Sequence, residues 1–219
     1  MNNGRTPQIL ITNDDGISAK GIAALIEVAK PFGQIHVLAP DKPQSGMGHA
    51  ITIHDPIRMF KSNLYAGIEA YACSGTPVDC VKLGIYELLG TKPDLILSGI
   101  NHGENSSTNV LYSGTMSAAI EGAMEGIPSF GFSLADFAAD ADFSAAQHYI
   151  QILLAQFFEK GMHVSPPVSV ARLGRQGYGR NAVRLRIGDR SASRSGCTAR
   201  SESFTEASRK LAASLPIGT

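Results

Sequence analysis

The sequence predicts an α/β fold, a mostly parallel sheet covered by helices, and three observations carry that expectation. Short apolar runs alternate with amphipathic stretches through the first half of the chain. The opening segments form a strand–helix–strand unit, Gln8–Thr12, a helix with Ile22, Leu25, Ile26 and Ala29 on one face, and Gln34–Ala39. Polar residues then stand just after the apolar runs, where open α/β sheets bind ligands at the carboxyl ends of their strands.

Each element follows from its own signal. Gln8–Thr12 reads as a buried strand, and the helix behind it is ended by Pro31. Residues Ala50–Ile53 and Ile57–Phe60 flank His54-Asp55-Pro56, which predicts a hairpin leaving the main sheet as a small β extension, with Ile68–Cys73 joining it. A helix is expected from Pro77 to Leu89, because Pro suits a first turn and Val78, Val81, Ile85 and Leu88 share a face. Asp94–Ser98 is the next buried strand. Thr115–Glu125 reads as a helix crowded with Ala and Gly, and Ser129–Leu134 as a strand. Ala145–Lys160 reads as a long helix with Ile150, Leu153, Leu154 and Phe157 inward and Gly161 as its C-cap. Val168–Ala171 is a candidate for one more strand, whereas Arg190–Arg200 is rich in Ser, Arg and Gly with nothing to bury.

Composition sets the outer limits. A chain of 219 residues with 43% hydrophobic content can bury one sizeable core. No apolar run reaches the roughly 18 residues that span a bilayer, and the first residues lack the basic-then-apolar order of a signal peptide, so a cytoplasmic location with no membrane partner is expected. Cys73, Cys80 and Cys197 are too few and too scattered for a disulfide framework or a zinc site, and all three read as reduced and structural. The net charge of zero conceals a division: residues 1–162 carry 9 Lys and Arg against 16 Asp and Glu, and residues 163–219 carry 10 against 3. The basic stretch lacks interleaved aromatics or a helical stripe of cations, so nucleic acid is not expected as a partner.

Four segments carry chemistry. Asn13-Asp14-Asp15-Gly16 follows the first strand, and adjacent carboxylates there call for a hard divalent cation such as Mg²⁺ or Mn²⁺, or else cap a turn. The strand ending at Ser98 runs into Gly99-Ile100-Asn101-His102-Gly103, where Asn101 offers a neutral oxygen ligand or simply builds a Gly/Asn turn. Ser113-Gly114-Thr115 opens a helix whose free N–H groups and dipole suit an anion such as phosphate, or serves as an ordinary cap. Asp41–His49 follows the second strand and is suited to fold over a site, or to lie as a plain surface loop. His49 and His102 fall in these loops, where a packing role competes with substrate contact.

Taken together, ILITNDDG (9–16), APDKPQSGMGHAIT (39–52), CSGTPVDCVKLGI (73–85), PDLILSGINHGEN (93–105) and YSGTMSAAIEGAMEGIPS (112–129) resemble the SurE family of stationary-phase survival proteins, which act as 5′-nucleotidases and related phosphatases. The resemblance covers about residues 8–160. It implies a Rossmann-like three-layer α/β domain with a β extension, a single divalent cation (Mg²⁺ or Mn²⁺), and metal ligands at Asp14, Asp15, Ser45 and Asn101. It implies a phosphate pocket at Asn105, Ser113, Gly114 and Thr115 with Asn13 nearby, a nucleotide substrate, and assembly into homodimers or tetramers. The implied reaction is direct hydrolysis of a nucleoside 5′-monophosphate, with Asp14, Asp15 and Asn101 as the catalytic set and either acid as general base.

Two regions are therefore expected: a nucleotidase-like domain over 1–162 and an atypical basic tail over 163–219. The abrupt change of composition suggests a shifted reading frame or a replaced C-terminus. The alternative function is a metal- or nucleotide-binding protein that has lost turnover.

Overall fold

In the computed structural model the predicted alternation becomes β1 (Gln8–Thr12), α1 (Lys20–Ala29), β2 (Gln34–Pro40), β3 (Met59–Ser62), β4 (Glu69–Cys73), α2 (Pro77–Leu83), β5 (Leu95–His102), α3 (Gly114–Met124), β6 (Ser129–Leu134), α4 (Ser144–Glu159), β7 (Pro167–Leu173) and β8 (Ala182–Arg186). The structure describes residues 4–103, 105, 107–138, 140–159, 167–173 and 182–186. Expectations for Cys197, Gly161 and the 190–200 stretch lie outside the described residues.

The described strands form one sheet in the order β3-β4-β2-β1-β5-β6-β7-β8. All neighbours from β4 through β7 pair in parallel, while β3 and β8 are antiparallel edges. The chain leaves β1 toward β2 on one side and returns to place β5 on the other. This reversal opens a crevice at the carboxyl ends of β1 and β5.

Side-chain alternation along the central strands explains the three layers. Ile9 and Ile11 face α1 and α4, packing with Ile22, Leu25, Ile26, Ile150, Leu154 and Phe157. Leu10, one residue out of phase, faces the other way with Leu38 and Ile96 against Cys80, Val81 and Ile85. Each fully buried Ile or Leu contributes about 1.5–3 kcal/mol relative to exposure, so both faces are covered at a gain. Cys73 and Cys80 are buried free thiols. Among the described residues no helix is long and apolar enough to cross a membrane.

The predicted hairpin over 50–60 does not form. Residues 50–58 contain no strand, and the extension is instead β3 paired with β4, which joins the main sheet beside β2. Ile51 and Ile53 are exposed, and the backbone at 50–52 is held by side chains rather than by a ladder: Thr76 Oγ1 donates to Ala50 O at 2.7 Å and Thr52 N–H donates to Asp79. The expected helix 77–89 is α-helical only to Leu83 and widens to a π turn over Gly84–Leu88. Its start is fixed by a reciprocal cap, in which Asp79 N–H donates to Thr76 Oγ1 at 3.1 Å and Thr76 N–H donates to Asp79 Oδ2 at 2.8 Å. β7 takes in the candidate strand at 168–171 and carries the sheet across the composition break at 162/163.

β5 departs from the expected 94–98 in an instructive way. It runs on to His102, but its pairing with β6 shifts between Ser98↔Gly131 and Asn101↔Ser133, so three steps on β5 oppose two on β6. This is a bulge, the device by which a strand re-aims a side chain. Gly99 sits in it at φ +127°, where an added Cβ would stand 2.5 Å from Phe132 O. From the other side, a Cβ on Gly21 at the start of α1 would stand 1.9 Å from Ile100 O. Only glycine at both positions lets α1 and β6 close on the bulge.

Candidate active site

The turn after β1 is buried from its first residue. Asn13 is fully buried and Asp14 nearly so, while Asp15 is half-buried. Asn13 Nδ2 donates to Gly16 O at 2.9 Å, which closes the turn, and Ile17 N–H donates to Pro40 O at 2.8 Å, which ties it to the end of β2. That leaves Asn13 Oδ1 as a buried acceptor with no hydrogen-bond partner.

The N-terminus of α3 packs directly on Asp14. Thr115 Oγ1 donates a short hydrogen bond to Asp14 Oδ1. A Cβ on Gly114 would stand 2.6 Å from the Asp14 Cβ, so glycine is what permits the approach. Ser113 is the N-cap, accepting from Met116 N–H at 3.1 Å, so its hydroxyl oxygen meets the capping role, while the Thr115 hydroxyl and N–H are both turned to Asp14. From β5, the His102 N–H donates to Asp15 Oδ2 at 3.3 Å, and the His102 ring lies edge-on against Phe143. His102 thus packs on Phe143, and both its N–H and its ring act on Asp15, each lowering that carboxyl against the effect of burial.

The electrostatics are those of two acids short of positive charge. Burial raises the Asp14 carboxyl to about 6, against lowering by the Thr115 hydroxyl and with a further rise from Asp15. Asp15 is raised too, by burial first, against lowering by the His102 N–H. Among the described residues neither acid has a Lys or Arg partner.

A donor set of two carboxylates, an amide and a hydroxyl is all oxygen, as Mg²⁺ and Mn²⁺ prefer, and an unpaired buried Asn13 Oδ1 adds to it. Among the described residues there is no cluster of three or more His, Cys, Asp and Glu, so neutral oxygens would have to complete any cation site. The residues fit a hard divalent cation.

The remaining sequence-predicted residues lie around this core. Asn101 is buried just past the bulge, its Nδ2 reaching Gly103 O at 3.4 Å. Asn105 is 7% exposed and its Nδ2 donor has no partner, a feature expected of a group that awaits an acceptor. Ser45 is exposed, and no described contact joins it to the acids. Its neighbour Gln44 does make one, donating its N–H to Asp14 O at 2.7 Å.

Two contacts escaped the sequence reading, which names His49 and settles neither of its two possible roles. Gln44 ties the 41–52 segment to Asp14, while His49 Nε2 and Glu121 Oε2 form a hydrogen bond at 2.7 Å. A signal for Glu121 was present: it is the one charged residue between Gly114 and Met124, a run otherwise of small and apolar residues.

Comparison with known proteins agrees with this geometry. The family model described as survival protein SurE matches residues 9–176, which reaches past the 8–160 span of the motifs and takes in β7. The chain is 57% identical over 157 residues to the 5′-nucleotidase SurE of Cytophaga hutchinsonii, covering 71% of this chain and 61% of that protein. It is 54% identical over 165 residues to the 5′-nucleotidase SurE of Flavobacterium psychrophilum, covering 75% and 64%. The crystal structure of the SurE protein from Aquifex aeolicus superposes with a TM-score of 0.68 at 36% identity, covering 77% of this chain and 66% of that one. The matched region thus spans about three fifths of the length of these curated relatives.

Proposed function

The chain belongs to the SurE family, and from that premise we propose that it is a divalent-metal-dependent phosphomonoesterase that converts nucleoside 5′-monophosphates to nucleoside and phosphate. The observation that carries this reading is the joint between Thr115 and Asp14, which sets a helix N-terminus suited to an anion against the buried Asp14 and its half-buried neighbour Asp15.

In this reading Asp14, Asp15, Ser45 and Asn101 hold one Mg²⁺ or Mn²⁺, which when bound neutralises phosphate oxygens and acidifies water. The Gly114 N–H, with the α3 dipole, binds the phosphate dianion, Thr115 serves through Asp14, to which its hydroxyl and its N–H are both turned, and Asn105 Nδ2 supplies a donor to one of the phosphate oxygens. Ser113 keeps that turn in register as its cap. Asn13 orients the turn bearing the acids through its bond to Gly16. Asp15 is the better general base, because Asp14 Oδ1 already accepts from Thr115 and Asp14 is the more deeply buried. A water placed in line with the ester bonds to phosphorus and gives its proton to Asp15 as the bond from phosphorus to the nucleoside 5′-oxygen breaks on the opposite side, and the departing alkoxide takes up a proton from solvent to leave as the nucleoside. Excluding bulk water falls to the 41–52 segment, which lies on Asp14 through Gln44.

Phosphate release from a panel of nucleoside 5′- and 3′-monophosphates, with and without Mg²⁺ or Mn²⁺, tests the proposal against Asp14→Ala. Metal-dependent release lost in the variant is the expected result. The composition break after residue 162 favours a second reading, binding without turnover, and saturable nucleotide binding with no release would select it. Light scattering of the purified chain tests the accompanying expectation of a homodimer or tetramer.

A further inference from the structure

Between the end of β2 and β3, residues 41–52 cross the mouth of the crevice without forming a strand. Their backbone is tacked down at intervals. Gln44 N–H donates to Asp14 O at 2.7 Å, Gly48 N–H donates to Tyr112 O at 3.2 Å, and Thr76 Oγ1 donates to Ala50 O at 2.7 Å. At the far end the buried Asp79 accepts from Thr52 Oγ1 at 2.6 Å. At Gly46 the tip faces open space: apart from its chain neighbours, no described residue has an atom within 4 Å of where a Cβ would stand.

Near the tip the segment offers one long side chain to the body of the protein. His49 Nε2 lies 2.7 Å from Glu121 Oε2, and the Glu121 side chain is 5% exposed on α3, two turns from Gly114 and Thr115. Its other oxygen, Oε1, accepts from Lys82 Nζ of α2 at 2.6 Å. A carboxylate buried among Ala and Gly is costly unless charged donors satisfy it, and a helix of this composition gains nothing from a Glu there for packing. Lys82 alone accounts for one oxygen, and the second is turned to the strap.

We infer that Glu121 is a positioning residue that acts through His49 as a latch, holding the 41–52 strap, and with it Ser45, over the phosphate-binding turn of α3. The kinetic part of this inference rests on the proposed hydrolysis; the latch itself does not. Both ends of the arrangement meet on one helix, so a strap fastened to Glu121 keeps a fixed height above Gly114 and Thr115. Unfastened, it keeps its anchors at Asp14 and Asp79 but loses its side-chain contact with α3 between them.

The test compares the full chain with His49→Ala and His49→Gln, since Gln has an N–H that reaches the same carboxylate. Backbone amide exchange is followed by mass spectrometry without substrate, and nucleotide hydrolysis with Mn²⁺ is followed alongside. In His49→Ala, exchange within 44–52 is expected to accelerate while peptides from β1 and β5 are unchanged. KM is expected to rise on the order of tenfold, with a parallel rise in the Mn²⁺ needed for half-maximal rate because the strap carries Ser45. His49→Gln is expected to restore both. Unchanged exchange in His49→Ala, equal acceleration in both variants, or acceleration across β1 and β5 would each overturn the latch. If the parent chain releases no phosphate, the exchange comparison still decides the latch, and only the hydrolysis reading fails.

Discussion

Thr115, in the first turn of α3, donates its hydroxyl hydrogen to Oδ1 of Asp14, joining two residues 101 positions apart in the chain at the centre of the crevice. The bond makes the helix N-terminus and the acidic turn one object. Thr115→Val keeps the shape and removes the donor, leaving a buried carboxylate short of a partner. The expected cost is about 1.5–3 kcal/mol in stability at neutral pH, with Thr115→Ser recovering most of it. Urea denaturation of the three proteins without metal measures this.

Asp14 also fixes a pH dependence in the metal-free chain. Its folded value of about 6 stands above the ordinary 3.8, so the folded state holds the proton more tightly and stability falls as pH rises from about 4 to about 6. Asp14→Asn keeps an acceptor for Thr115 and carries no charge. It is therefore expected to be more stable than the parent at pH 8 without metal, by on the order of 2–3 kcal/mol, and equal to it near pH 4. Thermal melts across that range with chelator present decide the matter.

Adding Mg²⁺ or Mn²⁺ at pH 8 is expected to raise the melting temperature of the parent chain but not of Asp14→Asn. A cation at about 100 times its Kd contributes roughly 2.7 kcal/mol to whichever state binds it. An equal rise in both proteins would place the ion elsewhere.

Gly114→Ala tests the close approach of α3. Its Cβ would fall 2.6 Å from the Asp14 Cβ and 3.0 Å from Oδ2, so either the helix withdraws or the acid turns. The expected penalty is about 1–3 kcal/mol, together with loss of at least tenfold in kcat/KM, since positioning errors near 1 Å are enough for that. Gly122→Ala, on the same helix but facing Ser129 and Ile96, is expected to cost stability with a smaller effect on turnover per kcal/mol lost.

Much of the fold was legible because the central strands are short apolar runs with sharp ends: Gln8–Thr12 and Ser129–Leu134 match β1 and β6 residue for residue. The failures share a cause. Residues 50–58 alternate like a strand but owe their path to Asp79 and Thr76 at one end and to Ser74 at Arg58, partners 16 or more residues away that no local pattern reveals. β5 was read short because Gly99 and Asn101 look like a turn, whereas a bulge lets the strand continue through them. In the site, the acids and the Ser113-Gly114-Thr115 turn were visible as polar residues at strand and helix ends. The His49–Glu121 pair was not, since a side-chain hydrogen bond spanning 72 positions is written only in the tertiary structure.

The bulge at Gly99 has a consequence for anyone wishing to move this site to another scaffold. Transplanting the two acids and Asn101 would not suffice, because Asn101 owes its direction to a strand fault that α1 and β6 tolerate only through Gly21 and Gly99. The smallest transferable unit spans β1, the first turn of α1 and the β5–β6 pair. A graft of isolated ligands onto a regular strand would turn the amide toward the opposite face of the sheet.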